Sequence, residues 1–479
     1  MELSFTNGFN QSESLPIMNR QCTGWYPKFF REDGEIIRRS LMGTPGLNQL
    51  ATSGTAALQA NRGSQVMAGI AYFVNGSTLS RLNADFTISS LGTIAGSGKV
   101  SMPHNGIQLM ILVPGGKGYI FNKDTDVFGE ITDTDFNANG APQIAIFIDG
   151  FFAVSTDSKK WIVNSLNDGT SWNALDFGTA ESDPDIIVAP FNFNNQVAVF
   201  GGETIEFFDN IGGADFPFQR NGVFIQKGLF ARFSVVESSR RMMFIGGGEK
   251  ESPAVWAIQA NQEIKISNSG VDLLLNALTQ TQLNQVTSYS YSEDDSTFVA
   301  WQLPNETITY GVDTGKWHKR QSQVPDIAGS TITVGWRATG LITAYDKLIC
   351  FDTQDGRVGE INRNFFDEYG TDIQRIFDVD LLKAGGATFA IPRIEVTTES
   401  GVADAIVTDP KIRMRKSVDG QTFQNERLRS IGAVGKTQKR QVWRRNGRFK
   451  RFGILRFFMS DAVRPVIGNV EVQIVLGRV

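Results

Sequence analysis

Apolar residues along the middle of the chain gather in runs of strand length: AGIAYFV (68–74), LMILV (109–113), IAIFIDGFFAV (144–154), QVAVF (196–200), MMFIG (242–246), STFVAW (296–301) and LICF (348–351). Short apolar runs bounded by turn residues are the pattern of buried strands. Most are followed by a turn and a second strand-like stretch, as in GSTLSRL (76–82), GKGYIFN (116–122), ETIEFF (203–208), ETITYGVDTGKW (306–317) and GRVGEIN (356–362). The runs recur at spacings of roughly 37 to 56 residues, which match the length expected of a four-stranded propeller blade with variable loops, about 40 to 50. Such a blade has two apolar faces and becomes stable only between neighbours. The pattern therefore predicts an all-β fold: a β-propeller of about six or seven blades over residues 61–370.

Residues 1–60 lack this period and are punctuated by Pro27, Pro45 and Gly46. They read as an extended N-terminal arm, with a short strand or two, that lies across a neighbour. Residues 371–479 carry six further strand patterns, around 373–383, 391–398, 411–416, 441–445, 451–459 and 470–476, a count that suits a β-sandwich. One helix is predicted, NSGVDLLLNALTQTQLNQ (268–285), with Val271, Leu274, Leu275 and Leu278 on one face. It is expected to decorate a blade junction. SLNDGTSW (165–172) is near the S-x-D-x-G-x-T-W turn of some propeller blades, with Ser165 first, Asn167 in the Asp place, Gly169 in the Gly place, Ser171 in the Thr place and Trp172 packing inside. KSVDGQTF (416–423), with Asp419 and Gly420, is a looser second version.

Composition supports the β reading: 49 glycines and 35 phenylalanines among 479 residues fit many turns and few helices. Charge changes the picture more. Net charge is −4, yet residues 411–456 hold fifteen Lys and Arg against Asp419 and Glu426 alone, about +13, which leaves about −17 on the rest. One end seeks anions and the remainder repels them. The two cysteines, Cys22 and Cys350, form no disulfide framework or zinc spacing, which suits folding in a reducing compartment. The opening residues lack a basic start and an apolar core, and no apolar run is long enough to cross a membrane. No membrane insertion is expected.

Few residues offer chemistry. GTIAGSGKVSM (92–102) approaches a phosphate loop, but Thr93 stands in the first Gly position and Val100 follows Lys99, leaving no hydroxyl for magnesium. A Gly-rich turn between blades is the plainer reading. His104, after Pro103, reads as a turn residue and His318 as a surface or edge one; neither has a metal-spaced partner or a nearby nucleophile motif. Glu293, Asp294 and Asp295 lack the alternating spacing of a calcium loop and read as a hairpin tip. No catalytic residue, metal or cofactor is predicted. A glycan-binding or glycan-cleaving propeller is the rival, since the 165–172 turn occurs in propeller sialidases and carboxylate pairs can converge from distant strands. Against it, those enzymes carry an early Arg-Ile-Pro motif, whereas Ile391-Pro392-Arg393 is late and in another order.

The most distinctive stretch is KRQVWRRNGRFKRFGILRFFMS (439–460), a hairpin-forming alternation of aromatic and cationic residues after the Asp419-Gly420 turn. Three readings are open for its cations: tracking a nucleic-acid backbone, docking on an acidic ring protein, or a solvated strand face. The pattern formed by Trp443, Arg444, Arg445, Gly447, Arg448, Lys450 and Arg451 resembles the C-terminal end of the tail-hub proteins of short-tailed bacteriophages, also called packaged-DNA-stabilization or nozzle proteins. AGSGKVSM (95–102), ETIEFFD (203–209), QKGLF (226–230), WYPKFF (25–30) and GTPGLNQL (43–50) are similar to that family's segments in the same order.

The resemblance implies a structural virion-tail protein, made in the host bacterial cytoplasm and assembled as a hexameric ring. It would sit below the portal-adaptor complex, retain packaged DNA and later serve as its conduit. The implied partners are the portal-adaptor protein, a tailspike or fibre, a needle or plug protein, and genomic double-stranded DNA in transit without sequence specificity. Trp443, Arg444, Arg445, Arg448, Lys450 and Arg451 are the residues expected to dock a partner. A strongly basic lumen would hold a genome rather than release it, because duplex DNA carries a charge about every 1.7 Å. Protein docking is therefore favoured for the basic module.

Overall fold

The structure, a computed structural model, describes residues 2–180, 186–213, 216–293, 295–326, 330–380, 382–383, 387–401 and 407–477. Among them, seven sheets follow one another from residue 61 to residue 362. The first blade shows how. Its strands Asn61–Met67, Ile70–Asn75, Thr78–Leu82 and Ile88–Thr93 pair in sequence order, each antiparallel to the next. In the second strand Tyr72 and Val74 pack against Leu109, Ile111 and Phe121 of the next blade. Ala71 and Phe73, on the opposite face, pack against Ile349, Phe351 and Val358 of the last. Both faces of the strand are buried, which is why it reads as an unbroken apolar run.

Equivalent clusters join each blade to the following one, so the ring closes on itself. The second sheet has three strands, but Ser101 and His104 bridge to Leu112 and Leu109 and supply its inner edge. A cavity of about 430 Å³ runs between the innermost segments of the blades.

The first sixty residues are not a free arm. Gly46–Thr52 pairs antiparallel with Arg357–Asn362, with Gly46 opposite Asn362 and Thr52 opposite Arg357. It completes the last blade, whose other strands are Ala338–Ala344 and Lys347–Asp352. An early strand thus covers an edge that would otherwise stay open. Upstream, Trp25–Glu32 and Glu35–Gly43 form a hairpin whose second strand meets Val466–Leu476 at Leu41 and Met42. Cys22–Thr23 lies between Lys316–Pro325, which it meets in parallel, and Arg375–Asp378. Arg320, stacked 3.3 Å over the Trp336 ring, donates from Nη2 to the Pro45 carbonyl at 2.9 Å and pins the crossing from sandwich to propeller.

The C-terminal unit packs one sheet, containing Arg375–Asp378, Phe452–Met459, Lys411–Ser417 and Arg427–Ser430, on another, containing Glu35–Gly43, Val466–Leu476, Phe389–Thr398 and Gln441–Arg444. Ile412, Met414, Leu455 and Phe457 meet Ile394, Val396, Trp443, Val470 and Val472 in the core between them. That core continues into Met243, Ile245, Trp301 and Trp317 of the propeller. Through Cys22–Thr23 the first of these sheets is hydrogen-bonded to the sixth blade, so the two units share a sheet as well as a core.

Two further expectations change. The single helix is two, Ser269–Asn276 and Gln280–Leu283, because Thr279 caps Gln282 N and the Gln282 side chain reaches back, restarting the helix with a capping box. Val271 and Leu275 are buried, with Leu274 and Leu278 packed beside them. His318 is not a surface or edge residue. It is 1% exposed, beside Phe298 and Tyr26, because its strand is flanked by one blade strand and by Cys22–Thr23. His104 does sit in a turn, its Nδ1 accepting from Gly106 N at 3.2 Å. Glu293 and Asp295 flank the tip of a hairpin; Asp294 lies outside the described residues.

Candidate functional site

Both sequence-predicted turns are built by an aspartate that accepts from backbone ahead of it. In the first, Ser165 pairs with Asp168 across Leu166 and Asn167, and Asn167 takes the left-handed conformation at φ 61°. The Asp place therefore belongs to Asp168, one residue later than the alignment of the motif suggested. Its carboxylate accepts from Thr170 N at 3.0 Å and Thr170 Oγ1 at 2.7 Å, which lowers its pKa. Trp172 is buried against Phe136, and its Nε1 donates to Gly169 O at 3.0 Å. The turn is a structural plug: Asp133 and Asp135 accept from Trp172 N at 2.8 Å and Ala174 N at 3.2 Å and tie it to the preceding segment.

In the second turn Asp419 accepts from Gln421 N, Thr422 N, Thr422 Oγ1 and Ser417 Oγ, and these donors hold its carboxyl far below the usual range. Gly420, at φ 77°, presses on Pro16, where a Cβ would lie 3.0 Å from backbone. Asn19 Nδ2 donates to its carbonyl at 2.9 Å. The turn is thus docked on the N-terminal segment.

The basic stretch that follows is not a hairpin. Gln441–Arg444 pairs with Phe389–Thr398 in one sheet, while Phe452–Met459 pairs with Lys411–Ser417 in the other, so the chain changes sheets between them. Arg445, at φ 58°, and Gly447, at φ 84°, make the corner. Asn446 fixes it: its Nδ2 donates to Ile391 O at 3.2 Å and Trp443 O at 3.0 Å. Phe449 turns inward and stacks on Phe389 with ring centroids 5.2 Å apart.

Trp443, expected at a docking face, is fully buried and packs edge-on against Phe457, its Nε1 donating to Arg427 O at 2.9 Å. It is a core residue and cannot touch a partner. The periodic aromatic signal that marked it serves core and interface alike.

The cations around the corner differ in their partners. Half-buried Lys416, Arg427 and Arg429 donate to backbone carbonyls at or beside the corner: Lys416 Nζ to Asn446 O, Arg427 Nη2 to Arg444 O and Arg429 Nε to Val442 O, each at 2.6 Å. Burial and the neighbouring guanidinium lower the pKa of Lys416 and of Arg427. Arg444, Arg445, Arg448, Lys450 and Arg451 are exposed, and none has a carboxylate within ion-pair distance among the described residues.

The nearby acids are already taken. Glu426 binds Arg415 at 2.8 Å and Arg413 at 3.5 Å, Glu395 binds Arg440 at 2.6 Å and Arg393, and Asp419 is closed in its turn. Five exposed cations with no paired carboxylate among the described residues thus share a corner fixed by Asn446 and Phe449. Among the described residues no His, Cys, Asp and Glu group could hold a metal, and no helix is long and apolar enough to cross a membrane.

A profile of the β-propeller of bacteriophage P22 Gp10 matches residues 34–365, and one of the β-sandwich of the same protein matches residues 374–475. The chain belongs to the P22 Gp10 family. It is 21% identical over 380 residues to the tail hub protein gp10 of Salmonella phage P22, covering 76% of this chain and 77% of that protein. Family membership makes this a phage tail hub protein, a structural component of the virion tail.

Solved structures similar to it include YCF48 bound to D1 peptide, at 11% identity and TM-score 0.38, covering 67% of this chain and 99% of that one. The computationally designed Ika8 protein, at 14% identity and TM-score 0.39, covers 75% of this chain and 99% of its own. Both likenesses are too distant to bear on function.

Proposed function

We propose that the chain is one subunit of a closed tail-hub ring, a hexamer, which docks below the portal-adaptor complex, retains the packaged genome and later conducts it outward. The observation that carries the docking assignment is the fixed corner bearing Arg444, Arg445, Arg448, Lys450 and Arg451, exposed and without local counter-charge. Arg forks of this kind suit carboxylates presented across an interface. The charge on the rest of the chain, about −17, is the sign a conduit needs if DNA is to slide rather than stick.

Ring closure requires a head-to-tail contact between copies. The tip of the hairpin from Trp25–Glu32 to Glu35–Gly43 suits it, since beyond the sandwich it is a two-stranded ribbon with Phe30, Ile36 and Ile37 exposed. A lone ribbon is marginal in water, and a neighbouring copy would cover it. Tailspike or fibre and a needle or plug protein are the remaining partners, with no turnover chemistry. Buried free thiols at Cys22 and Cys350 suit synthesis in a host bacterial cytoplasm.

Substituting Arg444→Glu, Arg445→Glu and Arg448→Glu together tests the docking face. Attachment to DNA-filled heads should be abolished, while stability changes by about 1 kcal/mol or less, as for exposed positions. Attachment at the wild-type level would remove the corner from the interface.

A further inference from the structure

The hairpin from Trp25–Glu32 to Glu35–Gly43 carries opposite charges at its tip and along its shaft. Glu35–Gly43 is paired with Val466–Leu476 only at Leu41 and Met42, so the ribbon beyond Leu41 projects freely by about 20 Å at the rise of a strand. Its tip is acidic: Glu32, Asp33 and Glu35 surround Gly34, and Asp33, at φ 48°, and Gly34, at φ 86°, make a tight two-residue turn. Its shaft is cationic, through Arg38 and Arg39. All five charged side chains are exposed, and none has an opposite charge within ion-pair distance among the described residues.

Beside the shaft lies an open cleft of about 860 Å³, walled in part by Glu2, Phe5, Ile37, Arg38, Arg39 and Asn469. It forms because the sheet splits. After Val466 and Ile467, the strand Val466–Leu476 leaves Glu35–Gly43 and takes Glu2 and Leu3 as neighbours instead. The edge of residues 36–39 that borders the cleft is unpaired among the described residues. An open strand edge beside a cleft is where a further extended segment adds.

Charge and polarity together select the occupant. The cleft sets two arginines against Glu2 alone and is otherwise neutral and partly apolar, so it fits an acidic segment with apolar flanks. The hairpin tip is such a segment, since Phe30 and Ile36, 41% and 37% exposed, flank its three carboxylates. It cannot enter the cleft of its own chain, because tip and shaft are parts of one extended ribbon. A second copy supplies it without that restriction.

We propose that the hairpin tip of one copy, Phe30 to Ile36, seats in the cleft of the next, with Glu32, Asp33 and Glu35 against Arg38 and Arg39 and the flanking strand added to the free edge. This inference rests on the ring proposed above and names the contact that closes it. Tip and cleft are different surfaces, so the contact is head-to-tail and repeats around a ring instead of stopping at a dimer.

The test uses virions whose hub chain carries Asp33→Cys and Arg38→Cys together, the two native cysteines being buried. After mild oxidation and electrophoresis without reductant, a ladder of cross-linked chains beyond the dimer is expected, with each single variant monomeric. Dimers from Asp33→Cys alone would mean that tip meets tip, and a monomeric double variant would mean that the tip lies elsewhere; either result overturns the proposal. A closed ring of copies imaged in those same monomeric virions would leave the ring standing and remove only this contact. Charge exchange gives a second measure. Glu32→Arg, Asp33→Arg and Glu35→Arg together should lower the copies per virion at least tenfold, as should Arg38→Glu with Arg39→Glu, all with wild-type thermal melts, and the two sets combined in one chain should restore them. Wild-type incorporation of either set alone, or no recovery in the combination, also overturns it.

Discussion

His318 shows how this fold treats a single polar side chain. Its two ring nitrogens have no hydrogen-bond partner among the described residues, and burial, with Arg320 adding a like charge, pushes its pKa from 6.5 down to about 3. The unfolded chain takes up the proton near 6.5 and the folded chain only near 3. Between those values the unfolded state holds more protons, so stability falls as pH falls. From pH 7 to about pH 5 this costs about 2 kcal/mol. His318→Phe should lose that much of its acid sensitivity in urea unfolding at the two pH values, whereas an unchanged pH dependence would place His318 in contact with water. Neither the burial of His318 nor that of Trp443 was legible in the sequence. KWHKR looks like an exposed edge because its polarity belongs to a strand covered from both sides, and an aromatic alternating with arginines reads equally as interface or core. Asp419 was legible as a turn former, since an Asx turn is made within a few residues.

At the scale of elements, what the sequence exposes depends on how far apart the partners lie. Strands within a blade pair across turns of a few residues, as Ile70–Asn75 does with Thr78–Leu82, so run length and turn chemistry were enough to predict them. Gly46–Thr52 pairs with a strand some three hundred residues later, and nothing local announces it. The helix was placed correctly but not its break, which rests on the reciprocal Thr279 and Gln282 bonds. The sheet change at Arg445 to Gly447 escaped for the same reason as the closing strand: alternation gives a face but not a partner. The closing strand has a consequence for hydrogen exchange. If Gly46–Thr52 seals the ring, its amides should be protected to the level of the central blade strands, because opening them means opening the propeller. Exchange within seconds in the free protein, beside protected blade strands, would show the strand to be a detachable arm.

At the scale of the molecule, the propeller and sandwich are joined by a shared sheet and a shared core, so the cationic corner is held rigidly relative to the blades. If the chain forms the proposed ring around a genome, that rigidity would serve it better than a tethered pair of domains. The charge polarity was legible from counting alone, and so were the two architectural units; how they are joined was not, because Cys22–Thr23 is two residues long. The central claim, a closed collar of copies around an exiting genome, is tested most directly by image reconstruction of purified virions at the portal vertex. The account predicts density for several copies of this propeller and sandwich closed into a six-fold ring, with residues 444–451 against the portal-adaptor complex. Virions that lack the chain, or that carry a single copy away from the vertex, would contradict it.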